Sequence, residues 1–395
     1  MTLERKAKKD FSLLLSAQFL TAFADNALLF TAIAMVMQQA NSPDWYVPVL
    51  QACFLIAFVV LAPWVSVFAD VRPKANVLAI GNSLKAFGAL LMFLNIEPLL
   101  AYALVGLGAA VYSPAKYGIL PELMSKEHLV KGNSWIEGST IIAILVGMLF
   151  GAKLADYSIS LALSLEIGLY VLSGVLSLFI SCKVVQRKQP ERVFSEFKDK
   201  VQRLFSIEQV RYALLAISLF WAASVALRLM IIAWAPVVLL INDAADVAAL
   251  TIYTGLGIAV GAALVPKFIP LEQLRRTRFA AYALGISIVA LSFISDAVLA
   301  KTMLFVIGVA GGVLVVPINA VIQEKGHHTV GSGGAVAVQN FLENLSMLAI
   351  SLIYSLAAKF GATPTGALLT LGVAVIISAL WVVSILPKTN SNTGR

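Results

Sequence analysis

The strongest constraint on this chain is the length of its apolar runs and the shortness of what joins them. From residue 11 to residue 386, stretches of about twenty apolar residues follow one another, and most connections are a few residues long. A helix needs roughly 20 apolar residues to cross a hydrocarbon core of about 30 Å. Backbone groups in lipid have no water to bond, so such segments must be helices or strands of a closed barrel. Barrel strands would be short and would alternate apolar with polar residues. Here 60% of residues are hydrophobic and 13% are charged, against about 25% charged in a soluble domain. The chain is expected to be an all-α polytopic membrane protein.

Twelve spans are predicted, at about 11–37, 48–68, 76–95, 98–115, 136–155, 160–182, 209–240, 247–266, 278–296, 302–323, 334–358 and 365–386. The first follows Arg5, Lys6, Lys8 and Lys9. It is too long for a signal-peptide core and reads as a retained span. Cys53 and Cys182 lie in apolar segments far apart and read as core thiols. The one long polar connector is 183–208.

The net charge of +8 reads as topology and not as nucleic-acid binding. The amino-terminal segment, the loops after spans 2, 4, 6, 8 and 10 with Arg278 at the edge of span 9, and the carboxyl tail hold twenty-three Lys and Arg. The other loops hold only Lys153, Lys301 and Lys359. By the positive-inside rule both termini and the connector face the cytoplasm. The asymmetry also supports an even number of spans.

The halves echo each other. Asp25 in span 1 and Arg228 in span 7, Pro114 in span 4 and Pro317 in span 10, and Glu137 in span 5 and Glu343 in span 11 recur at nearly one offset. Residues 1–182 and 209–395 are therefore expected to be two six-helix bundles in parallel orientation, joined by 183–208. This is the build of a rocking transporter with its substrate between the halves.

A charged side chain at the bilayer centre costs about 2.5–3.5 kcal/mol on insertion scales, so it is tolerated where it is paired or faces water. Asp25, beside Asn26, lies mid-span, and Arg228 is its counterpart in the other half. They are expected to face each other, either as a functional pair or as a static one pinning the halves. Lys116 and Tyr117 follow Pro114 where span 4 ends; they read as site residues or as an ordinary span exit with a snorkelling lysine. Gln339, Asn340, Glu343 and Asn344 fall on one helical face. With Glu137 they line a polar path or form an interhelical hydrogen-bond cluster. Lys85 in span 3 and Glu166 in span 6 read as peripheral side chains reaching a headgroup. His128, His327 and His328 read as solvated loop residues.

There is no G-x-x-x-x-G-K-[ST] phosphate loop, no H-E-x-x-H, no G-x-S-x-G and no Cys/His metal spacing. No ATPase, no cofactor and no enzymatic centre is expected.

Asp70, Arg72 and Lys74 in "ADVRPKANVL" resemble a reduced form of the loop 2–3 gating motif of the major facilitator superfamily, with its glycines missing. "AQFLTAFADNALLF", "YSPAKYGILPEL", "LVKGNSWIEGSTIIAIL", "VVPINAVIQEKG" and "AVAVQNFLENLSML" resemble the bacterial lysophospholipid transporters of that superfamily, from span 1 to span 12. The resemblance implies a flippase in the bacterial inner membrane. It would carry lysophosphatidylethanolamine and lysophosphatidylglycerol to the cytoplasmic leaflet. A partner acyltransferase–acyl carrier protein synthetase, expected to be a separate chain, would re-acylate them there. Asp25 would then meet the ammonium and Arg228 the phosphate. Glu137 and the Gln339–Asn340–Glu343 face would line the headgroup path. The acyl tail would stay in membrane lipid, with lateral access between the halves. A proton-coupled exporter of drugs or other amphiphiles and a non-transporting scaffold for the acyltransferase are the other readings.

Overall fold

The structure, a computed structural model, describes residues 2–37, 46–181, 192–241, 244–269 and 271–386. Cys182, the first part of the connector and the tail beyond residue 386 lie outside them. Fourteen α-helices and no strand occur among the described residues. They are α1 Thr2–Met37, α2 Tyr46–Val71, α3 Lys74–Phe93, α4 Pro98–Gly118, the short α5 Leu120–Leu123, α6 Leu129–Tyr157 and α7 Ile159–Leu178. After them come α8 Val193–Ser206, α9 Glu208–Trp234, α10 Ala244–Phe268, α11 Thr277–Leu291, α12 Ala297–Thr329, α13 Ser332–Lys359 and α14 Pro364–Ser384.

Local chemistry sets several boundaries. Proline takes the first position of α4 and α14, where its missing N–H costs nothing. The Asp296 carboxylate caps α12 by accepting from the amides of Val298 and Leu299 at 2.9 and 2.8 Å. A π-helical turn, Ala235–Leu239, closes α9. Among the described residues, eleven helices are long and apolar enough to cross a bilayer. The twelfth span, α11, has 15 residues and runs about 22 Å at 1.5 Å per residue. It packs against α12 and α14.

Two bundles result. In the first, α1 packs on α6 and α7, α3 on α4 and α7, and α2 on α4. In the second, α10 packs on α12, α9 on α12, α13 and α14, and α11 on α12 and α14. Glycines set the closest crossings. Gly81 of α3 meets Gly108 of α4, and Gly257 of α10 meets Gly308 of α12, with no room for a Cβ. The bundles meet along α2–α13 and α6–α10, with α4–α13 and α6–α12 between those seams. The amphipathic helix α8 lies against α2, α9 and α13. It marks one end of the molecule, the connector end.

Candidate functional site

Asp25 sits two-thirds of the way along α1. Its carboxylate is held inside the first bundle, not by the second. Lys85 Nζ donates to Oδ2 at 2.7 Å and the Tyr170 hydroxyl donates to Oδ1 at 2.8 Å. The Lys85 side chain is 1% exposed and that of Asp25 is 20% exposed. The lysine ammonium also lies 4.8 Å from the centre of the Tyr112 ring, a favourable cation–π position. Gly108 makes this burial possible. A Cβ there would come within 2.8 Å of Lys85 Cγ, so the lysine stem lies on bare α4 backbone.

The expected Asp25–Arg228 pair does not form. Equivalent position in a repeat does not fix rotation about the helix axis, and the nearest cation to Asp25 comes from α3. Arg228 is exposed on α9 and makes no hydrogen bond or ion pair with any described residue. Lys85 and Glu166, expected at the periphery, are buried instead. Thr31 donates to Glu166 at 2.7 Å. Asn26 turns back on its own helix, donating to the Ala22 carbonyl at 2.8 Å.

Beside the Asp25–Lys85 pair opens a cavity of about 140 Å³ among α1, α2, α3 and α4. Gln18, Asp25, Phe58, Lys85, Ser113 and Lys116 are among its lining residues. Lys116 lies over the Tyr117 ring at 4.2 Å. Among the described residues it has no hydrogen bond or ion pair, though Glu137, Lys85, Asp25 and Glu343 all act on it electrostatically.

The other sequence-predicted residues form one network across the bundles. Glu137 of α6 accepts from the Tyr117 hydroxyl at 2.8 Å and from Asn319 Nδ2 at 3.0 Å. Gln339 Nε2 donates to Asn319 Oδ1 and to Glu343 Oε1, both at 2.7 Å. Asn340 Nδ2 reaches across to Ser113 Oγ at 2.9 Å. Two carboxyl groups from opposite halves are thus linked through two amides, in a setting where an unbonded polar group is costly. Sequence reasoning missed Asn319, Asn133 and Gln323. The last two exchange hydrogen bonds of 2.8 Å in each direction. Amides inside predicted spans were the available signal.

A model of the family described as Major Facilitator Superfamily matches residues 14–351. The chain belongs to the major facilitator superfamily. A lysophospholipid transporter, LplT of Yersinia pestis (strain Pestoides F), is 42% identical over 352 residues, 88% of this chain and 86% of that relative. Two solved structures share the fold at low identity. The fucose:proton symporter FucP of E. coli aligns with a TM-score of 0.76 and 15% identity over 96% of this chain and 98% of that one. The human organic anion transporter MFSD10 (TETRAN) aligns with a TM-score of 0.79 and 13% identity over 95% of this chain and 99% of that one. The chain is a transporter of this superfamily and not an enzyme.

The segment that carries Asp70, Arg72 and Lys74 is built into the connector end. Asp70 accepts from the Gly334 amide at 3.0 Å and from Lys200 Nζ of α8 at 2.9 Å. Lys200 also donates to Ser66 Oγ at 2.9 Å. Lys74 donates to the Ala69 carbonyl at 2.5 Å and stands 3.9 Å from Asp70. Arg72 lies over the Phe68 ring at 4.1 Å. Helix α8 straddles the seam, with Phe194 on Trp64 of α2 and Phe197 on Phe341 of α13. His327 and His328, expected in a loop, are the last turn of α12.

Proposed function

We propose that this transporter moves lysophospholipids across a bacterial inner membrane by alternating access. Its substrates are lysophosphatidylethanolamine and lysophosphatidylglycerol, delivered to the cytoplasmic leaflet. An acyltransferase–acyl carrier protein synthetase re-acylates them there. The connector end and both termini face the cytoplasm. The halves 1–182 and 209–395 rock about the seams as units, linked through 183–208.

The observation that carries the site assignment is a pair of cations, Lys116 in the last turn of α4 and Arg228 in α9, one from each half, with no anionic partner among the described residues. An arginine with no partner among the described residues, about three-quarters of the way along α9, cannot face lipid cheaply, which turns Arg228 toward the water-filled space between the halves. Lys116 lines the cavity on the other side. Both substrates share one group, the phosphodiester, and two cations from opposite halves suit it. Asp25, already held by Lys85 and Tyr170, is not a free anion waiting for an ammonium. Glu137, Gln339, Asn340 and Glu343 form the polar floor between cavity and connector end, and Asp70, Arg72 and Lys74 belong to the latch below it.

The tail argues for lateral access. An acyl chain gains about 0.8 kcal/mol per buried CH₂, so it stays in lipid while the headgroup slides between the bundles at α2–α13 or α6–α10. Gly255 of α10 packs against the Leu145 and Ile141 side chains of α6 and keeps one seam narrow.

Reconstituted full-length protein tests this reading. Vesicles receive a fluorescent lysophosphatidylethanolamine in the outer leaflet, and its movement inward is followed by protection from a membrane-impermeant quencher. Wild type is expected to protect the lipid, while Arg228→Gln and Lys116→Gln lose at least ten-fold in rate. Wild-type rates in both variants would contradict the phosphate assignment.

A further inference from the structure

We infer that Lys85 sets the headgroup charge preference of the site by neutralising Asp25 from behind. The inference rests on the lysophospholipid reading above and adds to it a residue whose side chain is almost wholly buried. Three observations converge on it. First, both oxygens of Asp25, the only carboxylate lining the cavity among the described residues, are engaged, Oδ2 by Lys85 at 2.7 Å and Oδ1 by Tyr170 at 2.8 Å. Second, the fit is made for a charged lysine. Its stem rests over Gly108 and its ammonium is placed 4.8 and 5.8 Å from the Tyr112 and Tyr170 ring centres. Third, Asp25 retains 20% exposure while Lys85 has 1%, so the cavity meets the carboxylate edge of the pair with the ammonium behind it.

The consequence is electrostatic. A compensated pair presents a dipole to the cavity and little net field. A zwitterionic ethanolamine headgroup and an anionic glycerol headgroup then meet nearly the same site, and the phosphate they share carries recognition. Remove the lysine charge and the same carboxylate becomes a bare anion beside the headgroup. Remove the carboxylate charge and the lysine becomes a bare cation there. The two changes push headgroup choice in opposite directions. A merely structural role for the pair would lower both affinities together.

The size follows from Coulomb's law. One uncompensated charge about 10 Å from the headgroup, at an effective dielectric near 20, alters the relative affinity of two ligands differing by one charge roughly ten-fold.

The experiment uses purified full-length protein in nanodiscs. A fluorescent lysophosphatidylethanolamine is displaced by unlabelled oleoyl-lysophosphatidylethanolamine or oleoyl-lysophosphatidylglycerol. Wild type is expected to bind both within a few-fold. Lys85→Gln is expected to shift the ratio about ten-fold toward the ethanolamine lipid. Asp25→Asn is expected to shift it about ten-fold toward the glycerol lipid. The double variant Asp25→Asn/Lys85→Gln returns to the wild-type ratio, and Lys85→Arg keeps it. The opposite signs make either single variant decisive if the other fails to fold. Wild type that binds both lipids, with single variants that keep its ratio, would overturn the role of Lys85. Wild type that binds neither lipid would instead overturn the substrate reading on which the inference rests.

Discussion

Asn133 of α6 and Gln323 of α12 exchange two hydrogen bonds of 2.8 Å across the seam between the bundles, both side chains fully buried. Each amide saturates the other, so the pair is stable only while the connector end is closed. The cross-bundle hydrogen bonds described above share that end: Asp70 with Gly334, Asn319 with Glu137, and Asn340 with Ser113.

Truncating one partner strands the other. Asn133→Leu alone is expected to cost about 1–3 kcal/mol, the usual penalty for an unsatisfied buried amide. Asn133→Leu/Gln323→Leu should cost less than the single change. Thermal melting of the purified variants checks the order, and a double variant less stable than the single one would contradict it.

The same seam must open during transport. Asn133→Cys/Gln323→Cys, bridged by a short reducible bis-thiol cross-linker, should abolish lysolipid movement in vesicles, and reductant should restore it. Full transport by the cross-linked protein would mean that the connector end never separates at this point.

The latch at Asp70 involves three helices. Lys200 reaches it from α8, and both groups are buried at 4% and 5% side-chain exposure. Losing Lys200 leaves buried Asp70 with the Gly334 amide and the more distant Lys74, a loss that approaches the cost of a broken buried pair, about 3–5 kcal/mol, without reaching it. Lys200→Met is therefore expected to loosen the closed connector end. Alkylation of a cysteine placed at the buried Ser332, measured as a rate, should rise several-fold in that background. An unchanged rate would remove α8 from the latch.

Most of the fold was legible in the sequence. The helical type and the twelve spans followed from span length, because lipid leaves the backbone no other choice; the short α5 and the connector helix α8 did not. The polar face at Gln339, Asn340 and Glu343 was legible from helical spacing, and all three are buried together. The partner of Asp25 was not. Spacing places a residue at a depth but does not say which neighbour it faces. One clue was available: Lys85 lies eight residues from the nearer end of α3, about 12 Å at helical rise, too deep for a lysine stem to snorkel out. The role of Gly108 was invisible, since only the crossing of α3 and α4 gives a glycine there its purpose.

That crossing yields a separate expectation. A Cβ on Gly108 would meet the Gly81 carbonyl oxygen at 2.6 Å and Lys85 Cγ at 2.8 Å. Overpacking of this kind costs about 1–3 kcal/mol. Gly108→Val should lower the melting temperature and displace Lys85 from Asp25, so transport should fall even in the folded fraction. A variant with wild-type melting and transport would contradict the tight crossing.

The most direct measurement compares two single-chain lipids of equal tail length in vesicles containing the wild-type protein. One carries a glycerophosphate headgroup and the other a neutral glycerol headgroup without phosphate. Protein-dependent translocation is expected for the phosphate lipid, with at least ten-fold slower movement of its neutral twin after subtraction of the protein-free rate. Equal protein-dependent rates, or none for the phosphate lipid, would contradict a site built around the phosphate of a lysophospholipid.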